Sequence, residues 1–446
     1  MTIVCTFVIS HSIIMKKAFV FLYCLLAPFL SNAQTGTWSG KLDVQGMKLS
    51  LVFHLDGDKP AMDSPDQGAY GIPIDVEYDS IGKVTVNIPS ISATYEGIRI
   101  MGSIYGTFTQ MGASLPLTLS PGEDRPNRPQ TPVGPFPYST EEVSFANGDA
   151  VLRGTLTLPD GYSRKTPVLL MVSGSGQQDR DEEIFEHRPF AVIADALARE
   201  GFATLRYDDR GKGESTGNFA ASTTYDFKDD ALAGVKLLKE RFDKVGVIGH
   251  SEGGTIALML AAEGQADFII SLAGMAVSGA ETLLFQNRIA LAAAGYGQDV
   301  IDRYCNAIGE AFEAIANGGS FSPAEYLDLP DELASNYLAV VSQIRAPYYR
   351  KFLALDMRPA LGSISCPVLA LNGTRDTQVD HKSNLAALLS GLPGNPLDEI
   401  RSMDELNHLF QHCRTGAVTE YREIEETFAP EAIAQIILWL SKIGKE

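Results

Sequence analysis

The chain has 446 residues, 45% of them hydrophobic, a length and composition that suit two domains with sizeable cores. Its formal net charge is −19 at pH 7, and no run rich in lysine and arginine occurs along it. Such a surface repels phosphate groups, so nucleic acid is excluded as an expected partner.

The first predicted element is a secretory signal. Two lysines follow Met15 and precede an apolar run of about 13 residues, and the segment ends in a small-x-small pattern at Ala33. We therefore expect translation to start at Met15, residues 1–33 to form the signal region, and the mature protein to be periplasmic or secreted. The apolar run is too short for a comfortable span, so no stable membrane span is expected after cleavage. A lipid anchor on Cys24 is not expected, because Tyr23 stands where lipoprotein signals have a small residue.

Residues 34–120 are predicted to form a small all-β domain. Segments such as WSGKLDV, KLSLVFHLD and KVTVNI alternate or run in β-branched and aromatic residues, with turn-forming residues between them. No helical period occurs there, which favours a barrel or a sandwich. The next segment, residues 121–138, is rich in proline. It is predicted to be a linker, because proline neither pairs in a central strand nor continues a helix.

Strands and helices alternate over residues 139–446. The segments PVLLMVSG, FATLRYDD, FDKVGVI, DFIISLAG and PVLALNG read as buried strands, with helical patterns between most of them. This alternation predicts the α/β class, with a mostly parallel sheet and helices on both faces. Residues from about 277 to 362 break the alternation and read as helices. They are predicted to be a cap inserted near the carboxyl ends of the strands, where ligands bind in such sheets.

The main candidate for chemistry is the serine of GHSEGG, residues 249–254. Serine is a poor nucleophile at neutral pH and needs a base and an orienting acid. Ser251 lies between a predicted strand and a predicted helix, which is the pattern of a nucleophile elbow. Gly249 and Gly253 are expected to be required because a side chain at either position would clash in the tight turn.

The base must come from seven histidines, and the expected order along the chain is serine, acid, histidine, each at the end of a strand. His408 follows the predicted strand LDEIRSM and is favoured over His412, which lies one helical turn further on. His381 is poorly placed because it lies in the loop of the acid. For the acid, Asp376 in the first turn after PVLALNG is favoured, and Asp380 is the alternative.

An oxyanion hole needs backbone N–H donors. One is expected from Glu252, directly after the nucleophile. The other is expected from the glycine-bearing loop after PVLLMV, where Ser175 is favoured and Gly176 is the alternative. That loop is not a dinucleotide fingerprint, because Asp179 stands at the third glycine position. Neither metal nor cofactor is expected, since the cysteines beyond the signal region are scattered and form no C-x-x-C pair: Cys305, Cys366 and Cys413.

Four segments together resemble the α/β-hydrolase superfamily: SGSGQQDRDE, RYDDRGKGES, GHSEGG and NGTRDTQV. Over residues 139–446 the chain is similar in particular to bacterial carboxylesterases of the EstD type, which share SGSG-QDRDE and DDRG-GxS segments. The resemblance implies a nucleophile, an acid, a base and two oxyanion donors at these positions: Ser251, Asp376, His408, Ser175 and Glu252.

The resemblance also extends to two further segments. It implies that DDRG, residues 208–211, is a structural loop. The segment APYYRKFLALD looks like the cap motif of the EstD group, in which P-W-F is commoner. Tyr348 and Tyr349 are therefore candidates for substrate contact, with packing inside the cap as the alternative.

These features predict a serine hydrolase that cleaves small-molecule carboxylic esters, with short acyl groups, through an acyl-enzyme. One alternative is a serine peptidase or aminopeptidase of the same fold, in which the acidic segment DRDEEIFE grips a peptide end. The other is a glycan- or surface-binding protein in which the β domain dominates and the hydrolase is ancillary. No oligomeric state is predicted.

Overall fold

The computed structural model describes residues 36–44, 47–57, 59–67, 69–79, 82–123, 126–323 and 328–444. The predicted signal region lies outside the described residues. The chain divides into two compact units, and the division falls between Asn127 and Arg128. Among the described residues, no helix combines the length and apolar character that crossing a bilayer requires.

Within its described residues, the amino-terminal unit forms an antiparallel sheet of nine strands in the order β4-β3-β2-β1-β9-β8-β7-β6-β5. The strands are β1 (Thr37–Val44), β2 (Met47–His54), β3 (Ala61–Ser64), β4 (Ala69–Pro73), β5 (Asp75–Tyr78), β6 (Lys83–Ile88), β7 (Ala93–Ile100), β8 (Ser103–Gln110) and β9 (Ala113–Pro121). The two end strands are joined through Ile74 alone, so the sheet must curl back on itself. Ile74 is buried in the core of this unit with Trp38, Phe53 and Tyr95.

The second unit contains a sheet of eight strands, among its described residues, in the order β10-β11-β13-β12-β14-β15-β16-β17. They are β10 (Ser139–Asn147), β11 (Ala150–Leu158), β12 (Val168–Val172), β13 (Ala203–Tyr207), β14 (Val245–His250), β15 (Phe268–Leu272), β16 (Val368–Gly373) and β17 (Glu399–Met403). β10 and β11 form an antiparallel hairpin at one edge, and β11 pairs antiparallel with β13. The remaining neighbours pair in parallel, so the sheet is mixed.

Helices cover both faces of this sheet. α1 (Pro189–Arg199) and α9 (Pro430–Ile443) pack on one face. On the other face lie α2 (Thr224–Arg241), α3 (Glu252–Ala262) and α8 (His381–Gly391). β14 is buried throughout: Val245 and Val247 join the core beneath α2 and α3, whereas Ile248 joins the core beneath α1 and α9. Successive strand residues point to opposite faces, which explains why this strand reads as a continuous apolar run.

Helices between β15 and β16 form the segment predicted as a cap. In its described residues they are α4 (Gly279–Ala293), α5 (Gln298–Ala316), α6 (Asp331–Gln343) and α7 (Pro347–Ala354). α5 buries Ile301, Cys305, Ile308, Phe312 and Ile315, a spacing of three and four residues that places them on one helical face. The cap thus has a hydrophobic core of its own.

The proline-rich segment 121–138 is divided between the two units. Arg128 donates hydrogen bonds to the carbonyl oxygens of Phe185, at 3.0 Å, and of Ile424, at 2.6 Å. The Gln130 amide donates to the carbonyl of Phe428 at 2.7 Å. From Arg128 onward the segment therefore belongs to the second unit. This differs from the predicted linker, because the proline pattern gives no sign of polar side chains that bind distant carbonyl groups.

Candidate active site

Ser251 occupies the sharp turn between β14 and α3. Its backbone has φ +54° and ψ −119°, which is strained for a residue other than glycine. A Cβ atom on Gly249 would overlap the carbonyl of Gly253, and one on Gly253 would overlap the carbonyl of Val172. Both glycines are therefore required for the turn to close, and this close approach of backbone segments is what the motif predicts.

His408 and Asp376 form a buried pair beyond the carboxyl ends of β17 and β16. The Nδ1 atom of His408 lies 2.8 Å from Oδ2 of Asp376, and the two residues are 4% and 5% exposed. Asn372 also donates to Oδ2, and the backbone N–H groups of Gln378 and Val379 donate to Oδ1. A carboxylate that accepts these bonds requires a histidine proton on Nδ1, so in the neutral imidazole Nε2 of His408 is the nitrogen with the free lone pair.

The alternative acid and bases lie in other surroundings. Asp380 caps α8 and accepts bonds from backbone N–H groups of its first turn. His381 is the first residue of that helix. His412 is half exposed, and its two ring nitrogens lie 2.9 Å from the carboxylates of Glu426 and Glu431. Of the candidates weighed from the sequence, Asp376 and His408 are the carboxylate and the histidine that the structure places in contact.

The nucleophile and the base follow parallel strands and meet at the same edge of the sheet. His250, directly before Ser251, connects them: its Nε2 donates to the carbonyl oxygen of His408 at 2.8 Å, and the centroids of the two imidazole rings are 4.7 Å apart. Within the described residues, the hydroxyl group of Ser251 makes no hydrogen bond.

The two predicted oxyanion donors lie on adjacent segments. Ser175 is in the loop after β12, and Glu252 is the first residue of α3. Within the described ranges, neither backbone N–H donates a hydrogen bond, whereas the N–H of Gly174 donates to Glu182 at 2.6 Å. The side chains of the two donor residues are bonded to each other, with Ser175 Oγ 2.7 Å from Glu252 Oε2. Gly176, with φ +100°, stays the alternative donor.

The two cap tyrosines have different surroundings. The hydroxyl of Tyr348 lies 2.8 Å from Oε2 of Glu252, so this residue reaches the nucleophile elbow. Tyr349 is 8% exposed in the cap core, and its hydroxyl accepts a bond from Gln343 at 3.0 Å. Tyr348 therefore lies at the candidate site. Tyr349 packs inside the cap, which was the alternative interpretation for these tyrosines.

Glu182 is a site residue that sequence reasoning missed. Its carboxylate lies 2.9 Å from Nδ1 of His250 and also accepts a hydrogen bond from the N–H of Gly174. It therefore connects the loop after β12 that carries Gly174 and Ser175, here called the oxyanion loop, to the turn at Ser251. Burial lowers the pKa of His250, but the Glu182 carboxylate, the His408 carbonyl and Asp376 together outweigh burial, so the net direction is upward. Both ring nitrogens of His250 face acceptors, which agrees with a protonated ring. The only available signal was the place of Glu182 in the segment SGSGQQDRDE.

Four carboxylates of the acidic segment DRDEEIFE are engaged in contacts within the fold. Ion pairs join Asp181 to Arg206 and Glu183 to Arg188, in addition to the pair of Glu182 described above. Asp179 accepts bonds from backbone N–H groups of the same segment. These carboxylates are therefore occupied. In the described part of the chain, no group of His, Cys, Asp and Glu residues has the arrangement of a metal site.

The DDRG segment contacts the loop after β12 through Asp209, and its residues Asp208 and Arg210 are buried. Asp208 pairs with Arg180 at 2.7 Å, and Arg210 pairs with Asp230 at 2.6 Å. Among the described residues, no arginine or lysine forms an ion pair with Asp209. Burial raises its pKa to about 8, although bonds from the neighbouring loop oppose the shift. These contacts are of the kind a structural loop makes.

Comparison with known proteins identifies a family and an esterase that are similar to this chain. Residues 148–410 match the family described as X-Pro dipeptidyl-peptidase (S15 family). Esterase EstD of Thermotoga maritima is 29% identical over 279 residues, which cover 62% of this chain and 61% of that protein. The chain thus spans less than two thirds of the length of this relative. The resemblance to EstD-type esterases is confirmed.

Solved structures of known enzymes are also similar to this chain. An esterase of Pyrococcus furiosus has 18% identity and a TM-score of 0.43, with 72% of this chain and 98% of that chain covered. Proline iminopeptidase of Mycobacterium smegmatis has 17% identity and a TM-score of 0.43, with 68% and 99% covered.

Proposed function

This chain belongs to the X-Pro dipeptidyl-peptidase (S15) family, and on that premise we propose that it is a serine hydrolase that cleaves carboxylic esters through an acyl-enzyme. The observation that carries the proposal is the buried 2.8 Å contact between His408 Nδ1 and Asp376 Oδ2, at the sheet edge where Ser251 lies. Preference for esters is supported by the similarity to Esterase EstD.

In the proposed mechanism, Ser251 Oγ attacks the ester carbonyl carbon while Nε2 of His408 takes the hydroxyl proton. The backbone N–H groups of Ser175 and Glu252 bind the oxyanion, and each such donor contributes on the order of 10²–10³ in rate. Collapse of the intermediate expels the alcohol, which receives the proton from His408 and leaves the acyl-enzyme. Water then loses a proton to His408 and attacks the acyl carbon, and the acid leaves as the proton returns to Ser251. Asp376 stabilises the imidazolium in both halves of the cycle.

The acyl group of the substrate is proposed to be short. The hydroxyl of Tyr348, on α7 of the cap, lies 2.8 Å from Oε2 of Glu252. The cap therefore restricts the space beside the proposed nucleophile. Methylene groups beyond such a pocket gain little binding energy and soon clash. We therefore expect acyl chains of about two to six carbons to be the best substrates.

Hydrolysis of a peptide bond near an amino terminus is the second candidate, and the family description favours it. The same catalytic residues would serve. A peptidase of this kind also needs a group that holds the terminal amine, and four carboxylates of DRDEEIFE are engaged in internal contacts. Ester hydrolysis therefore remains the primary proposal.

Labelling with a fluorophosphonate tests the proposal, with the Ser251→Ala variant as the comparison. The wild-type protein should be labelled and should hydrolyse p-nitrophenyl esters, and the variant should do neither while keeping its unfolding midpoint. Wild-type turnover in the variant would contradict the mechanism. In a series from acetate to palmitate, a maximum of kcat/KM at about ten carbons or beyond would contradict the short-acyl preference. Faster cleavage of X-Pro p-nitroanilides would favour the second candidate.

A further inference from the structure

The side chain of Glu252 has no part in the mechanism above, yet it is buried beside the nucleophile. The residue is 2% exposed. Among the described residues, no lysine, arginine or histidine forms an ion pair with it. Burial of a carboxylate is unfavourable unless hydrogen bonds replace the lost water, so the contacts of this group need an explanation.

Three hydroxyl groups from three different segments surround the Glu252 carboxylate. Ser175, in the oxyanion loop, lies 2.7 Å from Oε2, and Tyr348, in the cap, lies 2.8 Å from the same oxygen. Thr224, the first residue of α2, lies 2.5 Å from Oε1. Burial raises the pKa of Tyr348 well above its ordinary value, so the phenol keeps its proton and donates a hydrogen bond to Glu252.

These bonds connect the oxyanion hole to the cap. Ser175 and Glu252 are the residues whose backbone N–H groups are proposed to bind the oxyanion, and the Oγ–Oε2 bond fixes the distance between their segments. Tyr348 donates a hydrogen bond to the same oxygen, so a shift of α7 would change the distance between the two segments. We propose that Glu252 is a positioning residue that holds the two oxyanion donors together and couples them to the cap through Tyr348. This inference rests on the proposed function.

The expected effect is on kcat rather than on KM. The oxyanion forms during the reaction, so donors that are slightly misplaced weaken the transition state more than the bound ester. A displacement of about 1 Å at a reacting centre can reduce the rate by about a hundredfold. Loss of one positioning bond should have a smaller effect than loss of a donor.

The test compares Glu252→Gln and Tyr348→Phe with Tyr304→Phe. Tyr304 is a buried cap tyrosine whose hydroxyl is bonded to Asn336 inside the cap, so its variant controls for the loss of a buried hydroxyl. With p-nitrophenyl butyrate, kcat should fall about tenfold in Tyr348→Phe and somewhat more in Glu252→Gln, with KM changed less than about twofold. Tyr304→Phe should keep the wild-type kcat.

A second readout separates positioning from simple loss of stability. A trifluoromethyl ketone forms a hemiketal oxyanion with the nucleophilic serine, so its inhibition constant reports on the oxyanion donors. The constant should rise in proportion to the loss of kcat/KM across the variants, with unfolding midpoints close to wild type. Unchanged kcat and inhibition in both Glu252→Gln and Tyr348→Phe would overturn the inference, and so would a rise in KM alone. A wild-type protein without labelling or turnover would overturn the proposed function itself.

Discussion

Replacement of Asp376 by asparagine is expected to remove most of the activity while the fold remains. The carboxylate accepts bonds from His408 and Asn372 at Oδ2, and from the backbone N–H groups of Gln378 and Val379 at Oδ1. An amide has only one oxygen. If that oxygen keeps the two backbone bonds, the amide NH₂ faces Nδ1 of His408, which must then accept and carry its proton on Nε2. Nε2 is the atom that has to take the proton of the serine.

The expected losses of activity and of folding stability both follow from these contacts. The wrong histidine tautomer in a triad of this kind lowers kcat by about 10⁴. The new NH₂ group also faces the NH₂ group of Asn372, and an unsatisfied buried donor costs about 1–3 kcal/mol. Domains of this kind are stable by about 5–15 kcal/mol, so the Asp376→Asn variant should still fold.

The assay is kcat/KM for p-nitrophenyl butyrate over a range of pH, together with urea unfolding of the same samples. Asp380→Asn is the matched control, because Asp380 accepts backbone bonds at the start of α8 and asparagine caps a helix about as well as aspartate. The control should keep wild-type activity within about twofold. Activity of Asp376→Asn within about tenfold of wild type, or a larger loss in the control, would refute the assignment of the acid.

Two other predictions concern stability and processing. Burial raises the pKa of Asp209 from its ordinary value of 3.8 to about 8, so between these values the folded chain holds a proton that the unfolded chain has released, and stability should fall as the pH rises through this window. Asp209→Asn does not titrate and should flatten this fall; equal pH profiles of the urea midpoint in variant and wild type would contradict the shift. Expression of the full sequence in an exporting bacterium should yield a mature protein that begins at Gln34, and an intact mass that retains residues 15–33 would show that the signal is not cleaved.

The turn at Ser251 and the contact between Asp376 and His408 could be predicted because their signals are local or follow from topology. The glycines on either side of Ser251 are required by backbone contacts within the turn and with the neighbouring strand end. Asp376 and His408 follow successive parallel strands, and the carboxyl ends of such strands meet at one edge whatever the intervening sequence contains. Order along the chain was therefore enough to select them from the other aspartates and histidines.

The contacts that hold the site could not be predicted, because each depends on a partner distant in sequence. Thr224 and Tyr348 reach Glu252 from either side along the chain, and no spacing rule relates a helix start, an elbow and a cap helix. A run of acidic residues such as DRDEEIFE is usually exposed to solvent, yet Asp181 and Glu183 form ion pairs with arginines. Pairing of this kind is decided by tertiary packing, on which the local composition of a charged segment gives no information.

The charges around the oxyanion loop have to be balanced for the proposed chemistry to proceed, since a negative oxygen must form among buried acidic groups. Glu182 is compensated by His250, whose two ring nitrogens both face acceptors. Burial raises the pKa of Asp209 to about 8, which favours its neutral form. Glu252 is the remaining carboxylate, and three hydroxyl groups rather than a cation surround it. These hydroxyl groups satisfy the carboxylate and fix the segments on which the proposed donors lie. The oxyanion is therefore proposed to form beside a carboxylate whose oxygens already accept hydrogen bonds.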